Sequence, residues 1–286
     1  MTGIYNPFAK QVWELAHGVT VTLGPDAIIM GILNVTPDSF SDGGQFFSPQ
    51  AAIDQARRMR DEGAQIIDIG GESSRPGFEP VSAAEEQARV MPVIDALVRE
   101  GGYILSIDSW RAETARRAIE AGAHIVNDVW GLQKDDALAP FIARSRSGCI
   151  VMHTGRERQK ARDIIEDQRQ FLSRSLEVAH EAGVSREAMV LDPGFGFAKN
   201  GEEDTALLAR LEEVVVLGYP IMTGTSRKRF IGQITGRDGN ARDVGTAATS
   251  VVARLKGSAL FRVHDVQANK DALAIADAVL KAGDMK

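Results

Sequence analysis

The sequence is short of several features that would define a class. It contains one cysteine, Cys149, among 286 residues, which excludes a disulfide framework and a cysteine-ligated metal cluster. That cysteine lies in an apolar run, so we expect a buried structural thiol. No apolar run is long enough to span a bilayer, and the first residues lack the basic segment and apolar core of a signal peptide. We therefore expect a soluble cytoplasmic protein with no membrane partner.

The chain also lacks an excess of positive charge. It has 33 Lys and Arg against 39 Asp and Glu, a net charge of -6 and a pI of about 5.5. Nucleic acid is therefore not an expected partner, although a local basic cluster can still bind phosphate. Hydrophobic residues make up 44% and charged residues 25%, which is enough apolar material for a full core. We predict one domain over residues 1–286.

What the sequence does contain is a strand followed by a helix, repeated about eight times. This order in one chain of this length predicts an α/β fold, a (β/α)8 TIM barrel, with a doubly wound open sheet as the alternative. The alternation in Gln11–Leu23 predicts a short hairpin inside an N-terminal extension of about residues 1–25. The charged run Arg156–Arg162 is interpreted as the solvated start of a helix that continues to Ala182, and another helix is expected from after Lys199 to about Val216.

Polar residues follow almost every predicted strand. They are Asn34, Glu72 to Arg75, Asp108, Asn127 with Asp128, His153, Asp192, Ser226 to Lys228, and Arg262 with His264. Any one of them can simply cap the next helix. In a barrel, however, the carboxyl ends of all strands converge on one face, and active sites lie there.

The chemistry of this set indicates two kinds of ligand. Asp108, Asn127 and Asp192 offer acceptors and an amide that suit a flat heterocycle rich in N–H donors. A cationic group on this acidic chain suits a phosphate or carboxylate; it comprises Arg75, Lys228, Arg262 and His264. Asn34, beside a long polar loop, can take Mg2+ together with phosphate oxygens. No residue spacing predicts a zinc site, and Gly194-Phe-Gly196 lacks the context of a dinucleotide site.

Five motifs resemble those of the bacterial dihydropteroate synthase family, and the likeness runs from about Ile28 to near the C-terminus. The motifs are Ile32–Gly44, Asp68–Gly77, Asp192–Phe197, Ser226–Lys228 and Arg262–Val266. The resemblance implies a TIM barrel, a homodimer, and a transferase of folate biosynthesis that is a sulfonamide target. Its reaction joins 6-hydroxymethyl-7,8-dihydropterin diphosphate to p-aminobenzoate, with Mg2+ as cofactor, and releases dihydropteroate and diphosphate.

The resemblance also implies a role for individual positions. The pterin would be held by Asp108, Asn127, Met152, Asp192 and Lys228, and the diphosphate by Asn34, Arg75, Arg262 and His264, with the metal at Asn34. The p-aminobenzoate pocket would comprise Phe40, Ser74, Arg75, Pro76, Phe197 and Lys228. Catalysis would fall to Asp108, Asp192, Lys228, Arg262 and His264.

The physical chemistry of the set favours an SN1-like path in which diphosphate leaves before the amine attacks. The loops after Asn34 and Gly71 are expected to order around the bound diphosphate, exclude water and complete the second pocket. Under this hypothesis, Arg75→Ala should impair p-aminobenzoate turnover more than pterin binding. Two alternatives remain open: a non-catalytic pterin-binding paralogue, and a methyltetrahydrofolate-binding methyltransferase domain. The first should lack the cationic set. The second should lack the Ser226–Lys228 and Arg262–His264 motifs, and both motifs are present here.

Overall fold

A closed barrel of eight parallel strands forms the centre of the computed structural model, which describes residues 5–36, 49–72 and 81–284. After an antiparallel hairpin of β1 (Gln11–Glu14) and β2 (Thr20–Leu23), the barrel strands are β3 (Ile28–Asn34), β4 (Ile66–Gly70), β5 (Ile104–Asp108), β6 (Ile125–Asp128), β7 (Gly148–Met152), β8 (Met189–Asp192), β9 (Ile221–Thr223) and β10 (Ser258–Val263). Each strand pairs with the next in sequence, and β10 pairs with β3 to close the ring. The TIM barrel is confirmed, and the open-sheet alternative is wrong.

Ten α-helices fill the connections and the C-terminal end within the described ranges. They are α1 (Pro49–Glu62), α2 (Ala83–Glu100), α3 (Ala112–Glu120), α4 (Leu138–Ser145), α5 (Ile164–Glu181), α6 (Gly201–Ala209), α7 (Glu212–Val215), α8 (Arg229–Thr235), α9 (Asp243–Leu255) and α10 (Val266–Asp284). Among the helices described, none is both long and apolar enough to cross a bilayer.

Local sequence explains where these elements begin and what they bury. Strand β4 is buried along its whole length, as expected for a parallel strand covered by helices on one side and by the barrel interior on the other. Helix α1 starts with Pro49 in its first turn, where the missing N–H costs nothing. The Oγ of Ser82 accepts a hydrogen bond from the Glu85 N–H at 3.2 Å and caps α2.

The predicted hairpin is confirmed, and it covers the amino-terminal end of the barrel. Trp13 and Leu23 are buried in a cluster with Met30 and Ile66, which lie near the starts of their strands. The indole Nε1 of Trp13 donates a hydrogen bond to the Ala188 carbonyl at 2.8 Å. This end of the barrel is thus filled with apolar side chains, and the polar strand ends lie at the opposite end.

Two helix predictions are wrong at their boundaries. The run Arg156–Arg162 is not helical: α5 begins at Ile164, where the Asp163 carboxylate caps the N–H groups of Ile165 and Glu166. A charged run resembles a helix start, but these side chains have tertiary partners, as when Arg158 donates to Asp167 at 2.7 Å. The helix expected up to Val216 ends at Ala209 and resumes at Glu212, and Leu211, between the two helices, is fully buried.

Candidate active site

Strand register brings the predicted polar residues together at the carboxyl end of the barrel. Asn34 of β3 lies opposite Gly70 of β4, and Gly70 lies opposite Asp108 of β5. Asp108 in turn lies opposite Asn127 of β6. On the next pair of strands, Met152 lies opposite Asp192. The strand-end residues named from the sequence therefore form one rim.

Arg262 connects this rim across the barrel mouth. Its Nε donates to the Asp68 carboxylate at 2.6 Å, and its Nη2 donates to Asp108 at 2.7 Å. The Asn127 amide donates to the same Asp68 oxygen at 3.0 Å. Side chains from β4, β5, β6 and β10 thus form a single hydrogen-bonded network, and charge-assisted bonds of this kind hold their geometry well.

Burial shifts the ionisation of the groups in this network. It raises the pKa of Asp108 to about 7, because it outweighs the attraction of Arg262. Burial also raises the pKa of Asp192, although the hydrogen bond from the Gly194 N–H and the attraction of the Lys228 ammonium both act to lower it. The pKa of Lys228 is lowered to about 8 by burial and by repulsion from Arg262. The site therefore holds an acid and a base that both titrate near neutral pH, a property concentrated at functional sites.

Three buried oxygens in the mouth have no hydrogen-bond partner among the described residues. They are Asp68 Oδ1, Asn127 Oδ1 and Ser106 Oγ. The Asn127 amide nitrogen faces the Asp68 carboxylate, so its oxygen points elsewhere and is an acceptor. Unpaired buried acceptors are costly unless a ligand satisfies them. The mouth is thus prepared for a ligand with several N–H donors.

Apolar side chains form one wall of the site. Met152, Phe197 and Val129 make a small buried cluster, against which Trp110 and Trp130 pack. The Lys228 Nζ lies 4.3 Å from the centroid of the Phe197 ring, and the Arg156 guanidinium lies 4.8 Å from the same centroid. A flat ring can be held against such a wall while polar groups contact its edge.

Three members of the cationic set, His264, Lys228 and Arg262, lie at the ends of neighbouring elements. Ser226 Oγ lies 2.8 Å from His264 Nδ1 and accepts a hydrogen bond from the His264 backbone N–H at 3.1 Å. Lys228 and Arg262 interact electrostatically with Asp192. Arg227, the middle residue of the motif, forms an ion pair with Asp243 at 2.7 Å instead. The structure therefore groups His264, Lys228 and Arg262 around the mouth.

Four of the predicted site residues lie outside the described ranges: Phe40, Ser74, Arg75 and Pro76. The two chain ends next to residues 73–80 are described, and Arg111 joins them. Its Nη2 donates to the Glu72 carboxylate at 2.7 Å and to the Val81 carbonyl at 2.6 Å.

Sequence reasoning missed Asp68 and Ser106 as site residues. Asp68 is fully buried in the middle of β4 and accepts from both Arg262 and Asn127. The available signal was a carboxylate in the apolar run Ile66–Gly70, since an aspartate is rarely buried without a partner. Ser106 is the polar residue at the centre of β5, between Leu105 and Ile107. It gave a weaker signal of the same kind.

Comparison with known proteins identifies relatives of the whole barrel. The family model described as pterin binding enzyme matches residues 30–264. A dihydropteroate synthase from Streptococcus pyogenes is 46% identical over 252 residues, 87% of this chain and 94% of the relative. One from Bacillus subtilis is 44% identical over 256 residues, 90% of each.

Solved structures agree with this assignment. The Clostridium difficile dihydropteroate synthase, solved with pteroic acid, is 45% identical and superposes with a TM-score of 0.87, covering 90% of this chain and 98% of that one. The Xanthomonas albilineans enzyme with 4-aminobenzoic acid is 40% identical, with a TM-score of 0.88 over 94% and 99%. The Yersinia pestis enzyme in a sulfonamide complex is 37% identical, with a TM-score of 0.86 over 93% and 98%. The chain therefore belongs to the family of pterin-binding enzymes that includes the dihydropteroate synthases.

Proposed function

We propose that this chain is a dihydropteroate synthase, which condenses 6-hydroxymethyl-7,8-dihydropterin diphosphate with p-aminobenzoate. One observation carries the proposal. Buried acceptors without partners, Asp68 Oδ1 and Asn127 Oδ1, lie in the same mouth as Asp108, Asp192 and Arg262. That arrangement suits the donor-rich edge of a pterin. The family relationship supports the same assignment.

In this proposal the pterin lies across the barrel mouth. Its N–H groups donate to Asp108, Asn127 and Asp192, and the Lys228 ammonium donates to an acceptor on the ring. Met152 supports one ring face. What supports this placement is that Met152 lies opposite Asp192 in the strand register, within an apolar cluster.

The second substrate and the leaving group occupy the open side of the mouth. Phe197 and Lys228, already in contact through the ring face, would form the described part of the p-aminobenzoate pocket. Phe40, Ser74, Arg75 and Pro76 complete that pocket in our proposal. Asn34, Arg75, Arg262 and His264 would bind the diphosphate, since cations at the strand ends neutralise a polyanion.

The reaction proceeds by loss of diphosphate before attack. The carbon–oxygen bond breaks with both electrons leaving on the diphosphate, and the electron-rich dihydropterin stabilises the methylene cation. The carboxylates of Asp108 and Asp192 favour that cation electrostatically. The p-aminobenzoate nitrogen then attacks the methylene carbon and releases a proton. No activated protein nucleophile is needed on this path.

Mg2+ fits this site as an ion shared with the diphosphate. The described part of the chain has no group of three or more His, Cys, Asp or Glu placed to hold a metal. Asn34, at the end of β3, offers one amide oxygen, and Mg2+ commonly takes few protein ligands beside phosphate oxygens and water. When bound, the ion would neutralise charge on the leaving diphosphate.

We also propose that the enzyme is a homodimer formed through α9 and α10. Large apolar side chains are exposed on both helices, with Val244, Val252 and Leu255 on α9 and Ile275 and Val279 on α10. Their spacing puts them on stripes along each helix. The double substitution Val252→Glu with Leu255→Glu should give a monomer in light scattering. Val12→Glu, at a residue 50% exposed on the hairpin, should leave the mass unchanged.

The direct test is to incubate the protein with the dihydropterin diphosphate and Mg2+, with and without p-aminobenzoate. We expect dihydropteroate only when both substrates are present, with one diphosphate released for each dihydropteroate formed. Asp108→Ala and Lys228→Ala should lose most activity, whereas Asp238→Ala, at an exposed residue, should keep it. Tight pterin binding without product would favour the non-catalytic paralogue, and absence of pterin binding would refute the proposed site.

The location and the domain organisation of the protein are predicted as follows. The cytoplasmic location rests on the sequence alone. We propose that residues 1–286 form a single domain, which is supported by the core that the hairpin shares with the barrel strands.

A further inference from the structure

The carboxylate of Asp192 is held by the loop that follows it. The N–H of Gly194 donates to Asp192 Oδ1 at 2.7 Å. Gly194 has a φ of +66°, and a Cβ there would lie 1.9 Å from the His153 carbonyl oxygen. Gly194 therefore lies directly against the backbone of His153, the residue after β7, and its N–H is bonded to the Asp192 carboxylate.

Lys199 binds the carbonyl group of Gly194. Its side chain is almost fully buried, and its Nζ donates to the Gly194 carbonyl at 2.7 Å. The Phe197 N–H donates to that carbonyl as well, at 3.1 Å. Lys199 thus reaches back across a tight turn and fixes the residue that orients Asp192.

His153 holds Lys199 in turn. Its ring is completely buried, with Nδ1 at 2.9 Å from Lys199 Nζ and Nε2 at 2.9 Å from the Asp167 carboxylate. Hydrogen bonds from His153 and Arg158 outweigh burial and keep the pKa of Asp167 below its usual range. Nε2 also lies 2.9 Å from Arg158 Nη2. Burial lowers the pKa of His153 to about 3, so the ring is neutral and carries one hydrogen. Because the Lys199 ammonium only donates, Nδ1 accepts from it and the ring hydrogen is on Nε2, facing the Asp167 carboxylate.

We propose that Lys199 and His153 are positioning residues, which hold Gly194 so that its N–H fixes Asp192 for pterin binding. Neither was assigned a role from the sequence motifs. The inference rests on the proposed pterin site. Lys199 is not placed to bind an anion, since two of its donors are used and its charge is attracted by Asp204, Asp192 and Asp167.

Lys199→Met removes the donor to Gly194 and keeps much of the side-chain volume. With pteroic acid as probe, we expect its dissociation constant to rise roughly tenfold, the size expected for losing one charge-assisted hydrogen bond. Lys160→Met is the matched control, because Lys160 donates to the Ala198 carbonyl of the same loop at 2.8 Å. Its dissociation constant should stay within about twofold of wild type.

A second pair separates positioning from packing. The Oδ1 of an asparagine can replace the His153 Nδ1 acceptor, whereas a leucine cannot. His153→Leu should therefore weaken pteroic acid binding, and His153→Asn should restore most of it. Thermal unfolding of each variant shows how much of any loss reflects stability.

The outcomes are distinct. Equal dissociation constants for Lys199→Met and Lys160→Met would overturn the inference, as would His153→Asn binding no better than His153→Leu. If Lys199→Met does not fold, the His153 pair decides. Failure of the wild-type protein to bind pteroic acid would refute the proposed function itself, which keeps the two claims separate.

Discussion

Asp108 lies in the barrel mouth, where burial makes its ionised form unfavourable unless a ligand binds it. Its carboxylate accepts from Arg262 at 2.7 Å, but burial still raises its pKa to about 7. A carboxylic acid has an ordinary pKa near 4 when the chain is unfolded. Ionising Asp108 in the folded protein therefore costs free energy, and a bound pterin with N–H donors would offset that cost.

Asp108→Asn should change how stability depends on pH. Between about pH 4 and about pH 7 the folded state holds the Asp108 proton more tightly than the unfolded state, so the free energy of unfolding falls as pH rises through this window. The variant lacks this contribution. Denaturant unfolding near pH 5 and near pH 8 should show a smaller decrease for the variant than for wild type, and an equal decrease would contradict the assigned pKa shift.

Lys228 makes a second pH prediction, on activity. Its pKa is lowered to about 8 by burial and by repulsion from Arg262. If its ammonium binds substrate, kcat/KM should decline as pH rises through about 8, because the free enzyme loses that charge. Lys228→Arg keeps a charge at all accessible pH values. Its activity should be lower overall but without that decline, and a decline retained in the variant would assign it to another group.

At the scale of elements, the segment after β8 decides the shape of the site. Residues 193–199 are tied to their surroundings from several sides. The Gln168 amide donates to the Pro193 carbonyl at 3.0 Å, and the Gly196 N–H donates to the Asp204 carboxylate at 2.8 Å. These hydrogen bonds fix backbone groups on both sides of Phe195. This rigidity explains why Phe197 can form a defined wall.

Gly194→Ala should be far more destabilising than Gly183→Ala. Both residues have a positive φ, which costs a non-glycine residue about 1 kcal/mol. At Gly183 an added Cβ meets nothing within 4 Å, whereas at Gly194 it lies 1.9 Å from a backbone oxygen. We expect Gly183→Ala to cost about 1 kcal/mol and Gly194→Ala about 3 kcal/mol or more. Equal costs in denaturant unfolding would show that the loop shifts freely.

At the scale of the whole molecule, Arg254 joins the first and last strands of the barrel. It is 1% exposed, and its Nε donates to Asp277 of α10 at 2.6 Å. Its Nη2 donates to the Gly24 carbonyl at 2.8 Å, just before β3, and its Nη1 donates to the Ser258 carbonyl at 3.1 Å. One buried guanidinium thus links the hairpin segment, α9, α10 and the closing strand β10.

Arg254→Met should destabilise the whole barrel without touching the site. Removing one partner of a buried ion pair typically costs about 3–5 kcal/mol, because the remaining charge is left buried without its counter-ion. Asp277 would keep the hydrogen bond from the Ala27 N–H but would lose the guanidinium. Lys281→Met provides the control, since Lys281 pairs with Asp26 and both side chains are largely exposed. That change should cost less than about 1 kcal/mol. A similar loss for both variants in thermal unfolding would contradict the role given to Arg254.

The sequence by itself determined the order of the elements and most of the rim. Apolar runs of strand length, amphipathic helices and glycine stops are local signals, so β3 to β10 were predictable near their observed bounds. Because a parallel barrel gathers its strand ends on one face, Asp108, Asn127 and Asp192 could be placed together from chain order alone. The family motifs added expected roles for Arg262 and His264.

Only the tertiary structure decided which polar groups pair. The Asp68–Arg262 contact joins residues 194 positions apart, and no local pattern shows which carboxylate a guanidinium selects. The same holds for Lys199 and His153, 46 positions apart, and for Arg158, whose run resembled a helix start. Pairing depends on strand register, on barrel closure and on which groups burial deprives of water. These are properties of the closed barrel and not of any segment alone.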